Sequence, residues 1–181
     1  MRSFIKTLKR YFHTLRYLKL IQFKYRLLRL FPKKINFKVI KNLPVSSFSD
    51  PIWLRNKKET FDGKFFYFLN KRIEYSNEVW SKKFEDVLWS YNCNYLDFIN
   101  EQTNFDKTQY IHAWIENTSI EDGISFDPYP TSLRIVNLIK WCLSNENYDE
   151  KILNSIYFQT IVLSQNIECH LLANHIISNL K

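Results

Sequence analysis

Between Phe4 and Phe31 apolar residues recur at helical spacing. Leu8, Phe12, Leu15, Leu18 and Gln22 fall along one face, while Lys9, Arg16, Lys19, Lys24 and Arg26 fall mostly elsewhere. That period predicts one basic amphipathic helix, stopped by Pro32. From residue 33 to 62 no period holds, and Pro44, Ser46, Ser47, Ser49 and Pro51 predict a connector with extended pieces. Phe61-Asp-Gly63 reads as a turn, and Lys64-Phe-Phe-Tyr-Phe-Leu69 as a strand, alone or in a hairpin, packed on a helical body. From Glu85 onward the chain predicts successive helices. The first spans about Glu85 to Glu101, and the second about Asn104 to Asn117, with Tyr110 and Trp114 sharing a face. The third runs to about Ser144. Its N-cap is either Asp127 before Pro128 or Tyr129 before Pro130. The fourth runs from about Tyr148 to Asn166, with Leu153, Ile156, Thr160, Leu163 and Ile167 as its core stripe. A fifth begins near Cys169 or Leu171 and is cut off at Lys181.

Helices of this length joined by short loops predict antiparallel pairs. The chain of 181 residues, 45% apolar and 17% aromatic, is long enough to bury a real core. Only two Gly argue against a turn-rich β fold. The expected fold is therefore mostly α, with a short β element and a basic N-terminal helix. It divides into a basic helical arm (1–41), a connector with a short β element (42–84) and a helical segment (85–181).

Charge sharpens that division. Thirteen Lys and Arg and no acid lie in residues 1–41, whereas the remainder holds 13 basic and 18 acidic residues. The overall charge of +8 thus describes the arm and not the body. A basic helical arm suits an anionic lipid surface, nucleic acid or a polyanionic sugar, and it equally suits a solvated helix face. No recognised nucleic-acid module is present, so no specific nucleic-acid partner is expected. Cys93, Cys142 and Cys169 have no CxxC spacing, which predicts free thiols and no metal. No Gly-rich phosphate loop and no GxSxG elbow occurs, so no cofactor is expected. Charges interrupt the first thirty residues every two to five positions, so neither a signal peptide nor a membrane span is predicted. The expected location is cytoplasmic or peripheral at the inner membrane.

Three groups of residues could carry chemistry. On the third helix Arg134, Asn137 and Trp141 line one face. A guanidinium can clamp a carboxylate, and a Trp offers a flat wall to a sugar ring. Equally, Arg134 could bond a carbonyl or an acid, with Trp141 in the core. Near the end of the chain, Asn174 and His175 could stabilise and abstract a proton α to a carboxylate, or be a helix-end Asn and a core His. On the first helix Tyr91, Asn94, Tyr95 and Asp97 make a polar cluster that either bonds across helices or faces a wet cleft.

At these residues the chain resembles the heparinase II/III family of bacterial polysaccharide lyases, in its helical N-terminal domain. The resemblance is carried by Trp53-Leu-Arg55, Thr60 to Asn70, Leu88-Trp-Ser-Tyr-Asn92, Tyr95-Leu-Asp-Phe98, Trp114-Ile115, Asp127 to Asn137 with Ile139-Lys-Trp141, and Glu168 with His170-Leu-Leu172 and Asn174-His175. It implies an (α/α) toroid, here incomplete, and β-elimination on a uronic-acid polysaccharide of capsule or exopolysaccharide type. It further implies that Asn174 neutralises the substrate carboxylate, that His175 takes part in proton transfer, and that Arg134, Asn137, Trp141, Asn94 and Tyr95 lie near the sugar. Two positions depart from the pattern: Asn94 stands where the family often has His, and Ala173 where it usually has Gly. The family's catalytic Tyr and second His fall after Lys181. The implied partners are an anionic polysaccharide and the remainder of the lyase as a separate chain, with weak membrane-surface contact through residues 1–31. Alternatively the chain is a non-catalytic module binding anionic polysaccharide or a partner chain, or a membrane-surface helical protein.

Overall fold

The computed structural model describes residues 2–28, 31, 35, 37–41, 59–82, 84 and 86–169. The protein is mostly helical with one small antiparallel sheet. Helices α1 (Arg2–Arg16) and α2 (Leu20–Leu28) form the arm. Strands β1 (Phe65–Phe68) and β2 (Lys71–Glu74) form a hairpin. Helices α3 (Val87–Asn94), α4 (Thr108–Asn117), α5 (Pro128–Asn145) and α6 (Glu150–Asn166) form the body. Among the described residues no helix is long and apolar enough to cross a membrane.

The arm breaks where one helix was expected. Lys19 N–H donates to Oε1 of Gln22 at 2.9 Å while Gln22 N–H donates to the Lys19 carbonyl at 2.9 Å, so Gln22 caps a fresh helix start. No residue of α2 is buried.

The hairpin follows the alternation in its sequence. Phe66 and Phe68 point into the core, while Tyr67 stays exposed. Leu69 and Asn70 close it as a two-residue loop with both φ positive (52° and 60°), the conformation that matches the strands' twist. Before β1, Asp62 holds the turn. Its carboxylate accepts N–H bonds from Lys64 and Phe65 and the Tyr67 hydroxyl at 2.6 Å. Gly63, at φ 93°, supplies a left-handed backbone that a side chain would strain. Phe61 and Phe66, stacked at 4.2 Å, then anchor an aromatic core with Trp80, Trp89, Phe98 and Tyr110, whose ring centroids lie 4.9–6.4 Å from those of Phe61 or Phe66.

The first body helix ends early. Helix was expected to Glu101, yet α3 stops at Asn94, Leu96 takes a left-handed φ of 55°, and Asp97–Asn100 form a 3-10 turn. Tertiary donors explain the break. Arg134 Nη1 takes the Asn94 carbonyl at 2.9 Å and Asn137 Nδ2 takes the Tyr95 carbonyl at 2.9 Å, the acceptors that a continuing helix would need. Helix α4 starts at Thr108 rather than Asn104, with Asp106 Oδ1 accepting the Thr108 N–H. On α6 the buried residues are Ile152, Asn154, Gln159, Val162 and Leu163. Of the expected stripe Leu163 is buried and Ile156 packs against the core, Leu153 and Ile167 are half-buried, and Thr160 is exposed. The residues of the fifth expected helix after Cys169 lie outside the described residues, as do residues 42–58 of the connector.

Asn94 is the junction of this body. It is fully buried. Its amide donates to the carbonyls of Trp80 and Ser90, both at 3.0 Å, and its side-chain oxygen accepts Trp114 Nε1–H at 2.9 Å. Asn94→Ala should lower the unfolding free energy by roughly 2–4 kcal/mol, because it strands a buried indole N–H and opens a void. Asn92→Ala, which removes only a local bond to the Leu88 carbonyl, should cost under about 1 kcal/mol. Urea unfolding followed by Trp fluorescence separates the two.

Candidate functional site

Helix α5 organises the candidate site, and its sequence sets its start: Pro128 occupies the first turn, where a missing N–H costs nothing. Asp127 precedes it, but its side chain makes no capping bond to the helix. Instead Asp127 Oδ2 accepts the Tyr91 hydroxyl at 2.6 Å, which ties α5 to α3. Beside this pair the Tyr95 and Tyr129 rings meet edge to face, with centroids 5.9 Å apart. Tyr91, Tyr95, Asp127 and Tyr129 are all half-buried. Tyr91 also feels the negative charge of Glu168. The chain leading toward Asn174 and His175 therefore passes within electrostatic reach of this cluster.

Burial and neighbouring acid charge hold the Tyr91 and Tyr95 hydroxyls protonated. Desolvation, then the Asp127 bond, push the Tyr91 phenol far above its ordinary value. Desolvation and neighbouring Tyr129 and Asp97 do the same for Tyr95. The Tyr91 proton is committed to Asp127, which leaves that oxygen as an acceptor, while Tyr95 is a donor at neutral pH; both are unsuited to abstracting a proton.

About two turns along α5 from Tyr129, Asn137 is 8% exposed and donates to the Tyr95 carbonyl and to Asp97 Oδ1 at 2.5 Å. Asn100 Nδ2 returns a bond to the Asn137 carbonyl at 3.1 Å. Trp141 is 4% exposed and packs in the core. Arg134 is fully enclosed, at 0% exposure. Its Nε donates to Gln159 Oε1 at 2.7 Å, Nη1 to the Asn94 carbonyl at 2.9 Å, and Nη2 to Thr131 Oγ1 at 3.2 Å. The guanidinium lies 3.9 Å from the Trp114 ring centroid and 5.6 Å from that of Phe126. Desolvation pulls its pKa well below the ordinary value.

The structure thus brings Arg134, Asn137, Asn94 and Tyr95 together, but not as a sugar-facing set. Direct contact between Arg134 and a substrate carboxylate was expected, and the side chain has no solvent access through which to make it. Further chain packed on this body could only bury it more. The same holds for Asn94, whose polar atoms are consumed inside the core, and Trp141 presents no open wall to a ring. Tyr95 alone of the expected binding residues lines a half-open surface. Asn174 and His175 lie outside the described residues.

Sequence reading missed three structural players. Gln159 looked like an ordinary surface position on α6, and nothing in its spacing marks it. Glu101 is 3% exposed; its carboxylate accepts the Thr60 N–H at 2.9 Å and the Thr60 hydroxyl at 2.6 Å, pinning the entry to the hairpin. Desolvation, only partly offset by those bonds, raises its pKa. Asp127 carried a signal, but as a cap.

A second feature is a cavity of about 670 Å³ between residues 37–41, α4 and α6. Phe37, Val39, Trp114, Phe126 and Phe158 give it aromatic and aliphatic walls, and Asp149 and Lys151 stand at its polar side. Asn154 holds the outer wall in place, accepting the Ile40 N–H at 3.0 Å and donating to its carbonyl at 3.3 Å. Among the described residues no three His, Cys, Asp or Glu side chains are grouped to hold a metal ion.

Comparison with protein-family models, curated proteins and solved structures gives no match for this chain.

The phenols and thiols set a pH dependence. Tyr75, Tyr91, Tyr95 and Tyr110 all titrate above their ordinary 10.0 in the folded chain, and Cys93 and Cys142 above 9.0, with Cys142 pushed up to about 11; burial is the leading cause for each. The folded state then binds more protons than the unfolded state above these ordinary values. Stability contributed by these groups is intact below pH 9 and falls as pH rises from there. Denaturant midpoints measured from pH 8 to 11 should decline, and Tyr91→Phe should flatten the decline.

Proposed function

We propose that the chain is the helical N-terminal part of a heparinase II/III-like polysaccharide lyase. In this reading the complete enzyme cleaves a uronic-acid polysaccharide of capsule or exopolysaccharide type by β-elimination, and the 181 residues supply part of an (α/α) toroid. The single observation that carries it is a convergence. The runs behind the resemblance extend from Trp53 to His175, and members of those between Leu88 and Trp141 meet in one region: Arg134 stacks on Trp114, Asn137 bonds the Tyr95 carbonyl, and Tyr91 bonds Asp127. Residues shared because they build one scaffold would meet in this way.

The roles are reassigned accordingly. Arg134, Asn137, Asn94 and Trp141 hold the helical wall together. Tyr91, Tyr95 and Tyr129 offer hydroxyls and rings to the sugar. Asp127 and Glu168 make that surface acidic, so the substrate carboxylate is neutralised by an amide rather than a cation, the role the resemblance gives to Asn174. Proton abstraction falls to His175 and to groups the resemblance places after Lys181. A lacking acid or base costs roughly 10²–10⁴ in rate.

A non-catalytic binding module is the second reading, favoured by the aromatic cavity beside Phe37 and Phe158.

Affinity electrophoresis through gels containing hyaluronan, alginate or neutral dextran tests the proposal, at salt high enough to screen the basic arm. Retardation by a uronate polymer and not by dextran is expected, weakened about three- to ten-fold by Tyr95→Phe. Ultraviolet assay should detect no unsaturated uronate from the chain alone. Indifference to every uronate polymer, or robust turnover by these residues, would defeat the proposal.

A further inference from the structure

We propose that the arm formed by α1 and α2 docks the protein in the plane of an anionic lipid surface. The first ground is apolar exposure. Among the described residues, ten of the eighteen large apolar side chains left exposed lie between Tyr11 and Phe31. Phe12 is 69% exposed, Tyr17 77% and Leu20 88%. A stretch of under thirty residues thus holds most of the uncovered apolar surface, whereas the body's exposed apolar residues are spread along the chain from Tyr67 to Tyr148.

The second ground is how charge is arranged around that surface. At 100° per residue, Tyr11, Phe12 and Leu15 occupy one arc of α1, about 100° wide. Lys6, Lys9, Arg10 and Arg16 occupy a separate arc on the other side. Along α2, Leu20, Phe23 and Leu27 repeat at intervals of three and four; Arg26 lies on the opposite arc, while Lys24 falls within the apolar arc. Residues 2–28 carry eight Lys and Arg and no acid. A helix with an apolar stripe flanked by cations lies in the headgroup region, its stripe among the acyl chains and its cations at lipid phosphates. The arm is too short and too charged to span, so it lies on the surface.

Charge complementarity selects this occupant over the others. A second copy of the arm would bring eight like charges against eight, with no acid to pair them. A nucleic acid would neutralise the cations but leave Phe12, Leu15, Leu20 and Leu27 in water. The protein's own body is acidic on balance, yet α2 buries no residue against it. An anionic bilayer satisfies both the cations and the apolar stripe.

Flotation of the full chain with vesicles of phosphatidylglycerol and phosphatidylcholine, against phosphatidylcholine alone, tests this. The chain should float with the anionic vesicles and stay at the bottom with the neutral ones. Lys9→Ala with Arg16→Ala should lower partitioning roughly 10–30-fold, from about five-fold per cation. Phe12→Ser with Leu15→Ser should lower it at least ten-fold, with the near-ultraviolet dichroism of the body's Trp residues unchanged. Equal flotation with neutral vesicles, or no flotation with either, would overturn the proposal. So would full flotation of the Phe12 and Leu15 variant, which would mark the arm as a polycation binding any polyanion, nucleic acid included. Sedimentation showing a dimer that the same variant dissociates would assign the stripe to a second copy instead.

Discussion

A single buried cation holds the helical body together. Arg134 has no exposed surface, and among the described residues no acid lies within ion-pair distance of it. Burying a guanidinium without an anion is costly, and the site offsets the cost with neutral dipoles and π faces. A Gln oxygen from α6, a carbonyl at the end of α3 and a Thr hydroxyl from its own helix take its protons, while Trp114 and Phe126 lie against it. Each ligand comes from a different part of the fold. The charge is therefore tolerable only when α3, α4, α5 and α6 are all in place, which couples their packing into one event.

That constraint propagates to α3. The Asn94 and Tyr95 carbonyls accept from Arg134 and Asn137 in place of the N–H groups of a continuing helix; the chain turns at Leu96 and presents Asp97 and Asn100 to Asn137. The turn also sets Tyr91 and Tyr95 against the start of α5. The buried bonds of Arg134, Asn94 and Asn137 are consumed inside the body, while Tyr91, Tyr95, Asp127 and Tyr129 remain half-buried.

The electrostatics divide along the chain in the same sense. The arm is uniformly basic and leaves ten described large apolar side chains exposed, while the body is acidic on balance and closes an aromatic core.

Much of this was legible in the order of residues. Low Gly and long apolar periods determined a helical body; the alternation from Lys64 to Leu69 determined a strand, alone or in a hairpin; Pro128 and Pro130 narrowed the start of α5 to two positions; and the absence of acids before Asp50 determined a basic arm. These are local consequences of period, backbone preference and charge, and they need no partner. Three matters were decided only by the tertiary structure. Arg134 became an interior strut rather than a ligand clamp, Asp127 a tether for Tyr91 rather than a cap, and α3 ended at Asn94 rather than continuing. In each the local sequence allows two partners of similar strength. The one that forms is set by which donors or acceptors the distant helices bring within 3 Å, and no spacing along one helix encodes that.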